Sequence, residues 1–139
     1  GERMKTAAFT RFALLTSLLF HGAAMAASRD HIQFICKTSG VANPAVFCSA
    51  VATSLETALG TRVVIAKEGS ETDSAAAARL LFTVTGRSGK AVMETGKVQD
   101  GKFIPASSET SGVQSMDTSV ERGAPKLVAN LLATQLQKR

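Results

Sequence analysis

Along HIQFICK, from His31, apolar and polar residues alternate: Ile32, Phe34 and Cys36 fall on one side of an extended chain, and Gln33, Ile35 and Lys37 on the other. A period of two with one apolar face predicts a strand. In the following TSGVANPA, Asn43 is placed to cap a helix and Pro44 to take its first position, where a missing N–H costs nothing. Phe47, Val51, Leu55 and Leu59 then recur every fourth residue until Gly60 stops the pattern. That is an amphipathic helix of about four turns. TRVVIAKE, from Thr61, is rich in β-branched residues and reads as a second strand. GSETDSAAAA, from Gly69, is polar and then alanine-rich, which predicts a loop leading into one helical turn.

RLLFTVTG, from Arg79, begins a third strand that buries Leu80, Phe82 and Val84 on one face. RSGK makes a short turn into AVMETGKV, a fourth strand, and the Asp-Gly pair of QDGK marks another hairpin. FIP extends the sheet briefly. Pro105 to Gly112 is Ser- and Thr-rich and reads as a mobile surface loop. GVQSMDTSV offers a weakly patterned last strand or edge segment. Pro125 then opens PKLVANLLATQLQKR, in which Val128, Leu131, Leu132 and Leu136 make a second apolar stripe. Lys138 and Arg139 suit the negative end of that helix. The order β-α-β-β-β-α predicts an α+β two-layer sandwich, a mainly antiparallel sheet of four or five strands with both helices on one face. If the first two strands are parallel neighbours, the first helix links them by a right-handed crossover.

The segment before His31 has a different character. From Met4 it reads MKTAAFTRFALLTSLLFHGAAMA, with Lys5 and Arg11 at its start, an apolar core from Phe12 to Phe20, and the small residues Ala24 and Ala26 flanking Met25. This order is that of a secretory signal peptide cut after Ala26. The core is far shorter than the roughly 20 residues that span a bilayer. Gly1, Glu2 and Arg3 precede the natural start and read as an appended remnant or upstream translation. No cysteine follows Ala26 directly, which argues against lipidation. Residues 27–139 are therefore expected to form a single small α+β domain, periplasmic or secreted, with no stable membrane span after cleavage.

Export changes how the cysteines are read. Cys36 and Cys48 both lie beyond the expected cut, and an even pair in an oxidising compartment favours a disulfide. Cys36 shares the strand face of Phe34, and Cys48 lies beside the helix stripe, so both sulfurs point into the layer between them. Two reduced, buried thiols are the alternative.

The chain has 16 Lys and Arg against 11 Asp and Glu, and dropping Arg3, Lys5, Arg11 and Glu2 leaves 13 against 10. Such a small excess is not a nucleic-acid footprint. Trp and Tyr are absent, and Phe34, Phe47, Phe82 and Phe103 sit in apolar patterns, so platforms for stacking bases are lacking.

Catalytic constellations are equally sparse. His31 is the only histidine beyond the expected cut, and it stands at the frayed start beside Asp30. The carboxylates Glu56, Glu68, Glu71, Asp73, Glu94, Asp100, Glu109, Asp117 and Glu121 are scattered, and none lies in an apolar run that would desolvate it for acid–base work. GRSGKA, from Gly86, resembles the end of a phosphate loop, but Ala91 replaces the required hydroxyl and a strand follows where a helix is needed. No CxxC spacing and no zinc ligand set occurs. No cofactor, metal or catalytic residue is assigned.

What remains is a basic set, Arg87, Lys90, Lys97 and Lys102, along the predicted hairpin and its turns. It could meet an acidic protein, peptidoglycan carboxylates or anionic lipid headgroups. Otherwise it protects an edge strand from aggregation. In architecture alone, Arg29 to Arg139 resembles small periplasmic domains such as the amino-terminal domain of the Tol system's β-propeller protein and the envelope activators of penicillin-binding proteins. No diagnostic motif is shared, so no functional residue is carried over. The expected function is a non-catalytic exported binding or adaptor module for another envelope protein or polymer. The alternatives are a small secreted hydrolase or enzyme inhibitor, and a structural subunit acting through homo-oligomerisation.

Overall fold

A computed structural model describes residues 31–114 and 119–138 of the chain. The expected signal peptide and its cut after Ala26 lie outside the described residues, as does Asp117. The elements are β1 (His31–Ser39), α1 (Pro44–Leu59), β2 (Arg62–Ile65), β3 (Ser74–Thr85), β4 (Ser88–Gln99), β5 (Lys102–Gln114) and α2 (Val120–Gln137). The strands form one sheet in the order β2-β1-β3-β4-β5. β1 is parallel to both of its neighbours, while β3, β4 and β5 make an antiparallel meander. Both helices cover one face, so the architecture is the α+β two-layer sandwich read from the sequence.

The core lies between these layers. Ile32 and Phe34 of β1, Leu80 and Phe82 of β3, and Ala91 and Met93 of β4 meet Phe47, Val51 and Leu55 of α1 and Val128 and Leu132 of α2. α1 forms as its sequence predicts. The Asn43 side chain accepts the Val46 N–H, Pro44 opens the first turn, and Gly60 closes the helix at φ 66°, a left-handed conformation that glycine adopts without strain. The Glu56 carboxylate then accepts the Val63 N–H at 2.8 Å and fixes the short β2 beside the helix. Replacing Glu56 with alanine removes a charged acceptor from a part-buried amide. The expected cost is about 1–2 kcal/mol, measurable in a urea titration.

β1 is buried on more than the one face expected. Gln33 and Ile35, on the side away from the helices, are only 3% and 1% exposed. The cause is the β2–β3 connection, which crosses that face: the Gln33 side chain donates to the Thr72 carbonyl at 2.6 Å and accepts the Thr72 N–H at 2.9 Å, and Glu68 meets Lys37 at 3.0 Å. The same covering corrects the expected helical turn in GSETDSAAAA. Ser74 to Ala78 instead begin β3, with Ala77 and Ala78 fully buried on its two faces. Alanine is used there because both faces are closely covered, so its helix propensity is overridden.

Two further expectations are corrected. Pro105 to Gly112 is strand, not loop. β4 supplies a pairing ladder from Gln99 to Ser88, and Ser107 is held below α2 by Thr95 Oγ1 at 2.5 Å and Gln135 Nε2 at 2.9 Å. The GVQ of the weakly patterned GVQSMDTSV ends that strand. α2 begins at Val120, ahead of Pro125, which lies inside the helix and is buried. Pro125 reads in the sequence as the start of the helix, but Val120 and Ala124 are buried in the core and hold a turn ahead of it.

Candidate functional site

The sulfurs of Cys36 and Cys48 are joined, with their Cα atoms 5.9 Å apart, so β1 is tied covalently to α1. This is the pairing expected from the two stripes. The bridge belongs to the scaffold, and the described residues contain no free cysteine.

The four basic residues do not form one patch. Arg87 occupies the tight β3–β4 turn after Gly86, and Lys90 stands in β4 just beyond it. Lys97 lies at the far end of β4 and Lys102 opens β5 after the Asp100–Gly101 turn. The rise of a strand places Lys97 about 24 Å from Lys90, and their odd spacing sends them to opposite faces of the sheet. β4 is also an interior strand, so neither of those lysines protects an edge.

Of these four residues, Lys90 lines two concave surfaces, and Arg87 precedes their lining residue Ser88 in the chain. Pairing across the meander sets Thr83, Lys90 and Gly112 in one row and Thr85, Ser88 and Gln114 in the next. With no side chain at Gly112, an open depression of about 580 Å³ forms beside Lys90 and Thr110. A second one, of about 230 Å³, joins Lys90 to Thr83 and Thr85. Hydroxyls, a side-chain amide and one cation line these hollows, with no carboxylate. At the other end, Asp100 sits in the turn between Lys97 and Lys102.

The carboxylates are otherwise engaged. Besides Glu56, Glu71 accepts from the Gly69 N–H, Asp73 from the Gly101 N–H and Glu121 from the Ala42 N–H, at 2.6, 2.9 and 3.0 Å. Glu94 meets Arg79 at 2.7 Å, Glu68 meets Lys37 and Arg79, and Glu109 meets Lys138 at 3.7 Å. Apart from Asp100, each described carboxylate therefore satisfies a backbone amide or a cation. Among the described residues, no three of His, Cys, Asp and Glu converge as metal ligands. His31 stands half-buried at the start of β1.

Sequence reasoning missed Arg79. Its guanidinium lies 4.7 Å from the centre of the Phe103 ring while bonding Glu94, which organises the sheet face away from the helices. The signal was present in RLLF, where a cation sits within an apolar strand. Gln135 was missed as well, although it follows Leu131 and Leu132 by one helical turn, the spacing of a buried position.

No protein-family model matches the chain. No curated protein matches its sequence either. Among the described residues, no helix is long and apolar enough to cross a membrane. Solved structures do share the fold. A singly substituted variant of the PelC dodecamer from Paraburkholderia phytofirmans superposes with a TM-score of 0.56 at 13% identity, over 77% of this chain and 86% of that one. The PelC dodecamer from the same organism in another crystal form gives 0.53 at 13% identity, over 75% and 86%. At such identity the likeness establishes the fold alone: this chain is similar in architecture to the PelC subunit.

Proposed function

We propose that the chain is an exported, non-catalytic binding module that engages an acidic envelope protein or polymer through Arg87 and Lys90. One observation carries this reading. Nearly every described carboxylate is bonded within the fold, whereas Arg87 and Lys90 have no partner among the described residues, and Lys90 lines a carboxylate-free hollow. A surface whose acids are occupied and whose cations are free selects for negative charge. The disulfide supports an oxidising compartment, in line with the leading segment read as an export signal. Lys97 and Lys102 lie at the other end of the meander and are secondary in this reading.

Capture from an envelope extract tests the proposal. The disulfide-bonded chain is expected to retain one acidic species, and the Arg87→Glu/Lys90→Glu variant to retain about tenfold less, as does rising salt. Equal retention by the variant would remove the site. Turnover of an envelope substrate, abolished by replacing His31 or a single carboxylate, would replace the module with a hydrolase.

A second reading is a subunit acting through homo-oligomerisation. The fold shared with the PelC dodecamers favours it. Sedimentation over a concentration series tests it, and a monomer throughout would dismiss it.

A further inference from the structure

We infer that the outer edge of β5, from Ser107 to Gln114, pairs with the same strand of a second copy of this chain, forming a sheet continuous across a two-fold axis. The inference rests on the homo-oligomer reading and names its surface.

β5 is the last strand of the sheet, and no strand covers its outer side among the described residues. Such an edge presents a row of free N–H and C=O groups, and folded proteins usually blunt it with lysine, proline, a bulge or shortness. The first part of β5 carries three of these devices: Lys102, Pro105, and a bulge at Ala106, where the pairing jumps from Gly96–Pro105 to Thr95–Ser107. From Ser107 onward there is none. SSETSGVQ contains no proline, lysine or arginine. Its one charge, Glu109, already faces Lys138, the residue that caps its own α2. The opposite edge differs: β2 is four residues long, opens with Arg62, and gives its Val63 N–H to Glu56.

A second, independent feature lies above the open edge. Gln135 of α2 and the capping Lys138 reach Ser107 and Glu109 of β5. Leu131 and Leu127 precede them on the same helical stripe. Leu127 is 44% exposed and Leu131 half-buried. The edge therefore has an apolar shoulder.

The occupant follows from length and charge. An open edge of this length is matched by another copy of itself and not by the four residues of β2. Antiparallel pairing about a two-fold axis through Thr110 sets Thr110 opposite Thr110, Ser108 opposite Gly112, Glu109 opposite Ser111 and Ser107 opposite Val113, which puts no like charges opposite one another. The only acid brings its own counter-ion, so two copies meet without like-charge repulsion. The same axis carries the Leu127 shoulder toward its counterpart, as an isologous interface requires.

Hydrogen exchange with sedimentation tests the inference on the disulfide-bonded chain. On association, alternate amides from Ser107 to Gln114, those that β4 leaves free, are expected to exchange about tenfold more slowly at high than at low protein concentration. Ser108→Lys with Leu127→Lys, both exposed positions, should weaken association about tenfold and leave thermal unfolding of the monomer unchanged. A monomer at every concentration would overturn both this interface and the homo-oligomer reading. Association with unprotected outer amides, or association that the double variant leaves intact, would overturn the interface alone.

Discussion

Replacing Cys36 and Cys48 together with alanine is expected to destabilise the protein by about 3 kcal/mol. The bridge closes a segment of sequence separation 12, and removing it returns that segment's freedom to the unfolded chain. The loss is a large part of the roughly 5–15 kcal/mol that separates a typical domain from its unfolded state. In a thermal scan it corresponds to a fall in Tm of about 10–20 °C. Reductant should move the unaltered protein by a similar amount and leave the variant where it is. A shift of only a degree or two in both measurements would show that packing alone holds β1 to α1.

Phe82→Ala should cost still more, about 3–5 kcal/mol. The Phe82 side chain is fully buried, and its ring stacks on Phe47 with centroids 4.6 Å apart, at the point where β3 meets α1. Truncation leaves a cavity beneath the helix that the disulfide-tied layer cannot readily close. Its neighbour Leu81 is a built-in comparison, because it faces the other side of the sheet and is 40% exposed. Leu81→Ala should cost about 1 kcal/mol or less. Urea titrations of the two variants check the contrast, and equal midpoints would contradict the assignment of faces.

Those two residues also illustrate what periodicity could and could not tell. In β1 and α1 the apolar spacing, the Asn43–Pro44 start and the Gly60 stop named both elements, because local preference and tertiary packing agree there. The Cys36–Cys48 pair followed from the same two stripes. In Ser74–Ala78 they disagree, and burial between two covered faces overrides the helical preference of alanine. Ser107 to Gln114 carries almost no apolar signal, since one side of the strand is solvated and its order comes from β4 and from Gln135, remote in sequence. Pro125 hid the first turn of α2 for a related reason: the contacts that hold Val120 and Ala124 are tertiary. The basic residues were visible as a set, but their separation into two pairs depended on the full length of β4, which composition does not reveal.

The position of β1 between two parallel partners gives it the longest-range pairings of the described strands. β3, β4 and β5 are joined by two tight turns and close only short loops. β1 must wait for β2 and β3, which lie far downstream in the chain, and contacts of that range form slowly. Among the described strands β1 thus depends on the most distant partners, and its sulfur link to α1 shortens the stretch of chain that has to close to reach them.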